Sequence, residues 1–285
     1  MNIDVRAILQ GRSQLGQGLR MVLLALLTSY LFLNLCAYFF AERLIFQPPV
    51  STYQDTPEII KLTTQNRQQI SALYLSNSDA KFTILYSHGN GSDLGTIRPV
   101  IEIIRQIGFS VLAYDYQGYG TSQGYPSEQN TYQDVEAAYH YLTQTLGIPP
   151  ARILLYGFSV GSGPSLHLAT RHAVAGVILE GAFTSVFRVV TYFPLLLFDR
   201  FPNLDRIRTL RQPLLIIHGT QDRVIPFHHG KTLYQQANPP KQFLPIAQAD
   251  HNNLIDVAGD RYEQALKNFA QQIEQKLYFD NDSHN

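Results

Sequence analysis

Short apolar runs alternate with amphipathic helical patterns along most of this chain, and that alternation limits the fold more than any other feature. The runs are five to seven residues long, too short to be helices. They predict strands at 58–62, 70–76, 82–87, 110–114, 152–157, 174–180, 213–218 and 242–246. Between them, apolar residues three and four apart predict helices at 131–146 and 260–277. Apolar strands separated by amphipathic helices indicate an α/β domain with a mostly parallel sheet covered on both faces.

The N-terminal part of the chain has a different pattern. Residues 21–40 contain no charged residue, and a helix of that length is about 30 Å long, enough to cross a bilayer. We expect a transmembrane anchor at 21–40, with a cleaved signal peptide and a buried core helix as the alternatives. The rest of the chain is predicted to form a tail at 1–20, a linker at 41–57, the α/β domain at 58–278 and a polar tail at 279–285.

Arginines on the two sides of this segment predict its orientation. Arg6, Arg12 and Arg20 precede it, whereas only Arg43 follows in a comparable stretch. Positive charge stays on the cytoplasmic side. We therefore expect the α/β domain on the non-cytoplasmic side.

Composition narrows the range of partners. The formal net charge is zero, from 22 basic and 22 acidic residues, so no basic face for nucleic acid is indicated. The single cysteine, Cys36, forms neither a disulfide framework nor a thiolate metal cluster. His228 and His229 are adjacent, with no carboxylate at ligand spacing, so we expect no metal and no cofactor.

A G-x-S-x-G motif, Gly157 to Gly161, follows the predicted strand at 152–157. Parallel sheets carry their sites beyond the carboxyl ends of their strands. A tight strand-to-helix turn there would expose the hydroxyl of Ser159 at a helix N-terminus, where developing negative charge is stabilised. We predict that Ser159 is a nucleophile.

A serine hydroxyl needs a base to react at neutral pH. Among nine histidines, His251 lies in a loop after the last predicted strand, and Asp222 lies in the turn after the strand before it. A carboxylate at that place can orient the imidazole, so we predict Asp222 as the acid and His251 as the base. Glu180, at another strand end, is the alternative acid. Asp250 is a poor candidate for the acid, because an aspartate next to a histidine in a loop rarely points at the ring nitrogens of that histidine.

The residues His88-Gly89-Asn90-Gly91 follow the predicted strand at 82–87. A backbone N–H from Asn90, together with that of Val160, would form an oxyanion hole, and glycines permit close approach of the backbone. We expect His88 to brace this loop rather than to react.

These motifs carry a resemblance to a known family. The blocks SHGNGSDLG, LAYDYQGYGTSQGYPSEQNTYQDVEAAY, ILLYGFSVGS, IIHGTQDRVIPFHHG and DHNNL resemble the α/β-hydrolase domain-containing proteins 17 and 13, over about residues 80 to 275. The resemblance implies the α/β-hydrolase fold, with nucleophile, acid and base at Ser159, Asp222 and His251. It also implies hydrolysis of acyl esters or thioesters, since the 17-type members remove fatty acyl groups from protein cysteines. Those members carry a cysteine-rich lipidated N-terminus, whereas a hydrophobic span stands here, as in the 13-type.

A cap is predicted over the site at about 183–210, a segment longer than a simple crossover. It contains Phe187, Phe193 and Leu197, which we expect to line an acyl pocket. The sequence thus predicts a membrane-anchored serine hydrolase acting on acyl esters or thioesters of lipids or acylated proteins. A serine peptidase and a non-catalytic membrane scaffold remain as alternatives.

Overall fold

The protein is built around one eight-stranded sheet. The computed structural model describes the backbone of residues 5–191 and 193–282 and the side chains of residues 16–191 and 193–276. The strands are β1 Ile59–Thr63, β2 Gln69–Leu75, β3 Thr83–Ser87, β4 Ser110–Tyr114, β5 Ile153–Phe158, β6 Gly176–Glu180, β7 Leu214–Gly219 and β8 Lys241–Ile246. Their order across the sheet is β1-β2-β4-β3-β5-β6-β7-β8. The pairings β1–β2 and β2–β4 are antiparallel and all others are parallel, which confirms the predicted fold class.

Complete burial explains why the central strands are apolar throughout. Every residue of β3, β4, β6 and β7 is buried, as expected of strands covered on both faces. The edge strand β8 is only partly buried and contains Pro245, which pairs with His218 of β7. An edge strand tolerates proline because one side of its backbone needs no partner in the sheet.

Helices cover both faces of this sheet. In chain order, the α-helices of the protein are α1 Val5–Ile45, α2 Leu94–Ile107, α3 Glu128–His140, α4 Ser162–Ala169, α5 Val186–Val190, α6 Asn203–Thr209, α7 His228–Gln236, α8 Leu254–Ala258 and α9 Asp260–Asp282. Apolar residues of α3, α4, α6 and α7 pack in one hydrophobic cluster, and those of α2, α8 and α9 pack in a second. The predicted site residues Ser159, Asp222 and His251 lie in turns after the carboxyl ends of β5, β7 and β8, between these two helical layers.

Helix α1 is longer than the predicted anchor at both ends. It takes in the described part of the predicted tail, residues 5–20, and runs on to Ile45; residues 1–4, and residues 283–285 of the other tail, lie outside the described residues. The stretch Gly16–Ile45 is 30 residues long, and its most apolar window of 18 residues has a mean hydropathy of 1.9 and is only 6% buried within the protein. It is long and apolar enough to cross a membrane.

One face of α1 contacts the rest of the protein. Asn34 and Ala41 are buried, although most large side chains of the helix are exposed, and Phe46 just beyond the helix is buried as well. The half-buried Ile45 lies on the same side of the helix as Asn34 and Ala41, because residues four and seven apart share a helix face. The chain then continues along the domain, where the Thr52 N–H donates to Asp93 Oδ2 at 2.6 Å and the Tyr53 hydroxyl donates to Asp115. Residues 46–53, within the segment predicted as a linker, are therefore held against the catalytic domain.

Candidate active site

Ser159 lies in a strained turn between β5 and α4. Residues Ser159–Gly161 form a single 3₁₀ turn before α4 begins. The φ angle of Ser159 is +52°, in the left-handed region that non-glycine residues rarely adopt. Such strain persists only where the surroundings enforce it, and it is concentrated at functional sites.

The two glycines of the motif enforce this turn. A Cβ at Gly157 would lie 2.6 Å from the carbonyl oxygen of Gly161, and a Cβ at Gly161 would lie 2.0 Å from the carbonyl oxygen of Ser87. Both distances are below van der Waals contact with backbone atoms, which cannot move aside as a flexible side chain can. The glycines are required because the turn packs tightly against itself and against the end of β3.

Asp222 and His251 are joined by a hydrogen bond. His251 Nδ1 lies 2.7 Å from Asp222 Oδ2, and both side chains are buried. The other carboxylate oxygen accepts the N–H groups of Val224 at 2.9 Å and Ile225 at 2.7 Å. The carboxylate is therefore fixed by its own turn and oriented toward the imidazole. Such an arrangement places the ring proton on Nδ1 and leaves Nε2 free to accept another.

The imidazole of His251 lies close to the nucleophile turn. Its ring centroid is 5.1 Å from that of Phe158, the residue before Ser159. A Cβ at Gly181 would come within 2.9 Å of His251 Cε1, which places the ring beside the end of β6. In the part of the chain that the structure describes, no hydrogen bond joins Ser159 to His251. Contacts between nucleophile and base are often long in uncomplexed hydrolases and shorten when substrate binds.

The loop after β3 presents a backbone N–H near this turn. A Cβ at Gly89 would lie 2.7 Å from the Phe158 ring and 3.6 Å from Ser159 Cβ, so the loop passes beside the nucleophile. The side-chain oxygen of Asn90 accepts the Gln47 N–H at 2.9 Å and the Tyr119 hydroxyl at 2.6 Å. Among the described residues, the Asn90 N–H has no acceptor, which leaves it available to a bound oxyanion.

His88 has a bracing position, as the sequence predicts. The ring is fully buried, with Nε2 3.3 Å from Asp115 Oδ1 and Nδ1 2.7 Å from the Gly89 carbonyl oxygen. The Tyr116 hydroxyl donates to the His88 carbonyl oxygen at 2.7 Å. These contacts hold the loop on which Asn90 lies and keep the ring away from solvent.

Two further histidines near the site are buried and uncharged. His218 Nε2 lies 2.9 Å from the Ile225 carbonyl oxygen, and burial lowers the pKa of its ring. His229 Nδ1 lies 3.0 Å from the Thr184 hydroxyl, and burial lowers its pKa to about 4. Both rings brace loops that surround Asp222.

Glu180, the alternative acid, has other partners. Its carboxyl accepts the Tyr156 hydroxyl, and the Tyr262 hydroxyl lies 3.4 Å from the same oxygen. Burial raises the pKa of this carboxyl, which favours its neutral form. A carboxyl group engaged by two tyrosines does not hold the His251 ring as Asp222 does.

A cavity of about 290 Å³ opens beside His251. Glu180 and Phe158 also line it, and α2 and α8 supply apolar walls that include Val100 and Ile255. The acyl pocket predicted from the sequence consists of Phe187, Phe193 and Leu197. None of these residues lines the cavity beside His251. Phe193 and Leu197 are 73% and 70% exposed, while Phe187 packs on Phe198 with ring centroids 5.4 Å apart. The acyl pocket in the cap therefore stays a prediction.

Sequence reasoning missed two sets of residues around the site. Gln47 and Tyr119 hold the Asn90 side chain, and Tyr156 with Tyr262 holds Glu180. The partners are separated by many residues along the chain, and no spacing rule connects them. Among the side chains of residues 16–191 and 193–276, no group of three His, Cys, Asp or Glu is arranged to hold a metal ion.

Comparison with known proteins shows which family shares this architecture. Residues 78–204 match the family model described as serine aminopeptidase, S33. The chain is 40% identical to human alpha/beta hydrolase domain-containing protein 17B over 228 residues, which are 78% of each protein. It is 37% identical to protein 17C of Xenopus tropicalis over 229 residues, covering 78% of this chain and 72% of that one.

Solved structures share the fold at lower identity. An esterase of Pyrococcus furiosus superimposes with a TM-score of 0.69 at 19% identity, covering 81% of this chain and 98% of that one. A serine hydrolase homologue of Coxiella burnetii gives 0.60 at 20% identity, covering 76% and 99%. The chain belongs to the alpha/beta hydrolase domain-containing protein 17 family and is a serine hydrolase with the α/β-hydrolase fold.

Proposed function

We propose that the protein is a membrane-anchored hydrolase of carboxylic esters or thioesters that carry fatty acyl groups. Ser159 is the nucleophile, His251 the base and Asp222 the residue that orients the base. The observation that carries the proposal is the 2.7 Å bond between His251 Nδ1 and Asp222 Oδ2, next to a serine whose φ of +52° is enforced by glycines. A structural role requires neither feature.

The proposed reaction proceeds through an acyl-enzyme. His251 Nε2 takes the proton of Ser159 as Oγ attacks the acyl carbon, and Asp222 stabilises the resulting imidazolium. The N–H groups of Asn90 and Val160 bind the negative charge that develops on the carbonyl oxygen. His251 then protonates the departing alcohol or thiol. Water activated by the same histidine attacks the acyl carbon, which releases the acid and restores the Ser159 hydroxyl.

The cavity beside His251 is our proposed site for the acyl chain. Its α2 and α8 walls are mainly apolar, with Thr96 and Asp256 as their polar members, and burial of each methylene contributes about 0.8 kcal/mol to binding. A peptidase that reads a free N-terminus would need an anion there to bind the ammonium group. Glu180 and Asp256 are the carboxyl side chains that line the cavity. Burial favours the neutral form of Glu180 and Tyr156 already donates to it, while Asp256 is exposed to solvent, where an ion pair with an ammonium group contributes little. These features favour an apolar acyl group over a peptide terminus.

A substrate panel tests this function in purified, detergent-solubilised protein. We expect hydrolysis of p-nitrophenyl octanoate and laurate, and of an S-acylated cysteine peptide, at a higher kcat/KM than p-nitrophenyl acetate. Faster cleavage of aminoacyl p-nitroanilides would replace the proposal with a peptidase. A complete lack of turnover, with no labelling by a fluorophosphonate probe, would indicate a scaffold.

Filling the cavity is expected to change the preference for chain length. Val100→Phe should lower kcat/KM for laurate roughly tenfold, because displacing two methylenes removes about 1.6 kcal/mol of apolar burial. The value for acetate should change little. Val257→Phe is the matched control, since Val257 lies on α8 but does not line the cavity. An unchanged ratio of laurate to acetate in Val100→Phe would place the acyl chain elsewhere, with the predicted cap residues as the next site to test.

Helix α1 is the proposed anchor. Its length and hydropathy support a membrane span, and the excess of arginine before it supports a non-cytoplasmic catalytic domain. Labelling of Val257→Cys in intact cells by a membrane-impermeant maleimide, in a Cys36→Ala background, checks the side. Lack of labelling in cells, with labelling after lysis, would place the domain in the cytoplasm.

A further inference from the structure

The cap carries an apolar surface that none of the described residues covers. Four large apolar side chains are exposed along residues 190–197, and we call them the cap ridge: Val190 at 80%, Phe193 at 73%, Leu195 at 57% and Leu197 at 70%. Residues 189–198 contain no charged residue. A contiguous exposed apolar surface of this kind marks a contact with a protein or a membrane.

The cap ridge is attached directly to the proposed anchor. The Leu197 N–H donates to Asn34 Oδ1 at 2.8 Å, and the rings of Tyr38 and Phe198 lie 5.4 Å apart, edge to face. The Asn34 amide also donates to the Tyr30 carbonyl oxygen at 2.9 Å within α1. Asn34, a polar residue within the apolar part of α1, therefore binds the backbone of the cap.

The position of Asn34 along α1 indicates how deep in the bilayer the contact between α1 and the cap lies. Asn34 lies six residues before Phe40, the last residue of the predicted span, which corresponds to about 9 Å along a helix. Peripheral membrane segments bury their apolar faces about 5–10 Å into the interface. If residues 21–40 span the bilayer, the backbone of Leu197 lies at such a depth.

Side chains around the contact match those found at a membrane surface. The Arg200 guanidinium lies over the rings of Tyr38 at 5.2 Å and Phe198 at 5.4 Å, and Arg43 lies 6.0 Å from the Phe40 ring. Aromatic rings and the long side chains of arginine are typical of the headgroup level. The charged boundary thus lies at residues 38–43 of α1, and the cap ridge reaches past it toward the apolar part of the helix.

Two backbone N–H groups of the cap ridge have partners within the protein, as an apolar environment requires. An unpaired N–H in lipid costs several kcal/mol, so irregular segments there need internal partners. The Leu195 N–H donates to the Phe193 carbonyl oxygen at 2.8 Å, and the Leu197 N–H is bonded to Asn34. The polar side chains at the start of the cap are paired as well, since Ser185 Oγ donates to Asp199 at 2.7 Å.

We propose that the cap ridge inserts into the same leaflet that surrounds the C-terminal half of α1, so that the catalytic domain has a second membrane contact. The proposal rests on the proposed anchoring by α1. It also connects the leaflet to the nucleophile turn, because Asn203 of the cap donates to Ser162 Oγ at 3.0 Å at the start of α4. The active site is then held at the bilayer surface, beside acyl chains that reside in the leaflet.

Depth-dependent fluorescence quenching tests the insertion in the full-length protein. The chain has one cysteine, so Cys36→Ala gives a background for single labels. Val190→Cys and Leu195→Cys are labelled with an NBD fluorophore and reconstituted in phosphatidylcholine–phosphatidylglycerol vesicles that contain doxyl-labelled lipid. Phe32→Cys, in the exposed apolar part of α1, is the lipid control, and Tyr125→Cys, 70% exposed on the domain, is the water control. Each variant is first assayed for p-nitrophenyl acetate hydrolysis to show that it is folded.

The controls separate failure of the insertion from failure of the anchor. We expect the labels at 190 and 195 to shift to the blue and to be quenched roughly half as strongly as the label at 32, as an interfacial depth implies. Labels at 190 and 195 that behave like the one at 125, with the label at 32 quenched, would overturn the insertion and leave the anchor intact. No quenching at 32 would overturn the anchor, and the insertion with it. A blue shift without lipid quenching would mean that protein covers the cap ridge, which also overturns the proposal.

Discussion

Ser159→Ala is expected to lower kcat for p-nitrophenyl octanoate by about 10⁶-fold, the effect of removing a serine nucleophile from a catalytic triad. Without Oγ no acyl-enzyme forms, so covalent labelling by a fluorophosphonate probe should disappear together with turnover. Measurement of initial rates and in-gel fluorescence on the same preparations gives both results. The fold should be unaffected, because the substitution removes one atom at a residue whose turn is enforced by Gly157 and Gly161.

Ser165→Ala is the matched control for this loss. Ser165 lies on α4, is almost fully buried, and its Oγ has no hydrogen-bond partner among the described residues. The same chemical change there should leave both labelling and turnover close to those of the wild type. Turnover by Ser159→Ala within tenfold of the wild type would remove Ser159 from the proposed mechanism, and the case for an acyl-enzyme would fail with it.

Burial on both faces of the sheet is what made the strands predictable. A strand covered on both sides is apolar along its whole length, and the predicted strand at 110–114 has the same bounds as β4. Helix ends were less predictable. The predicted helix at 131–146 is α3 from Glu128 to His140 followed by a short π-helical turn, Tyr141–Thr145. A change from α to π winding leaves the apolar spacing almost intact, so sequence patterns do not show it.

The predicted site residues follow from one topological rule. Carboxyl ends of neighbouring parallel strands meet at one edge of a sheet, so the turns after β5, β7 and β8 bring Ser159, Asp222 and His251 to one region. The choice between Asp222 and Glu180 depended on side-chain contacts that no motif encodes. Tyr156 and Tyr262 engage Glu180 from β5 and α9, and their spacing in the sequence gives no sign of it.

The cap was the least predictable part of the chain. An apolar run such as residues 193–198 has the same pattern whether it lines an acyl pocket or faces lipid, since both environments exclude water. Contacts between residues more than 150 positions apart, such as the bond between Leu197 and Asn34 and the ring pair of Tyr38 and Phe198, show that the cap packs on α1. Long-range contacts of this kind set which side chains point outward, and the sequence carries no local signal for them.

Asp222→Asn is expected to lower kcat by about 10⁴-fold with little change in stability. The amide keeps the shape of the carboxylate and can still accept the N–H groups of Val224 and Ile225, so its turn should hold. Its NH₂ group, however, would donate to His251 Nδ1 and stabilise the tautomer that carries the proton on Nε2. That tautomer cannot accept the Ser159 proton, and the imidazolium formed during attack loses its counter-charge.

Two further carboxyl groups near His251 serve as controls. Asp250 Oδ1 accepts the N–H groups of Arg223 at 3.0 Å and of His251 at 2.7 Å, but it does not contact the His251 ring nitrogens. Asp250→Asn repeats the same chemical change and should cost less than about tenfold, the worth of a modest hydrogen bond. Glu180→Gln should be similarly mild, because burial already favours the neutral carboxyl that the amide resembles.

The three variants together decide which carboxyl group orients the base. Steady-state kcat on p-nitrophenyl octanoate is measured for each, and thermal unfolding shows whether each variant is folded. A 10⁴-fold loss in Asp222→Asn alone agrees with the 2.7 Å bond between His251 and Asp222 and with the hydrogen bond that Tyr156 donates to Glu180. If Glu180→Gln carried the large loss and Asp222→Asn remained active, the acid would lie at the end of β6, and the orientation of His251 in this structure would not be the reactive one.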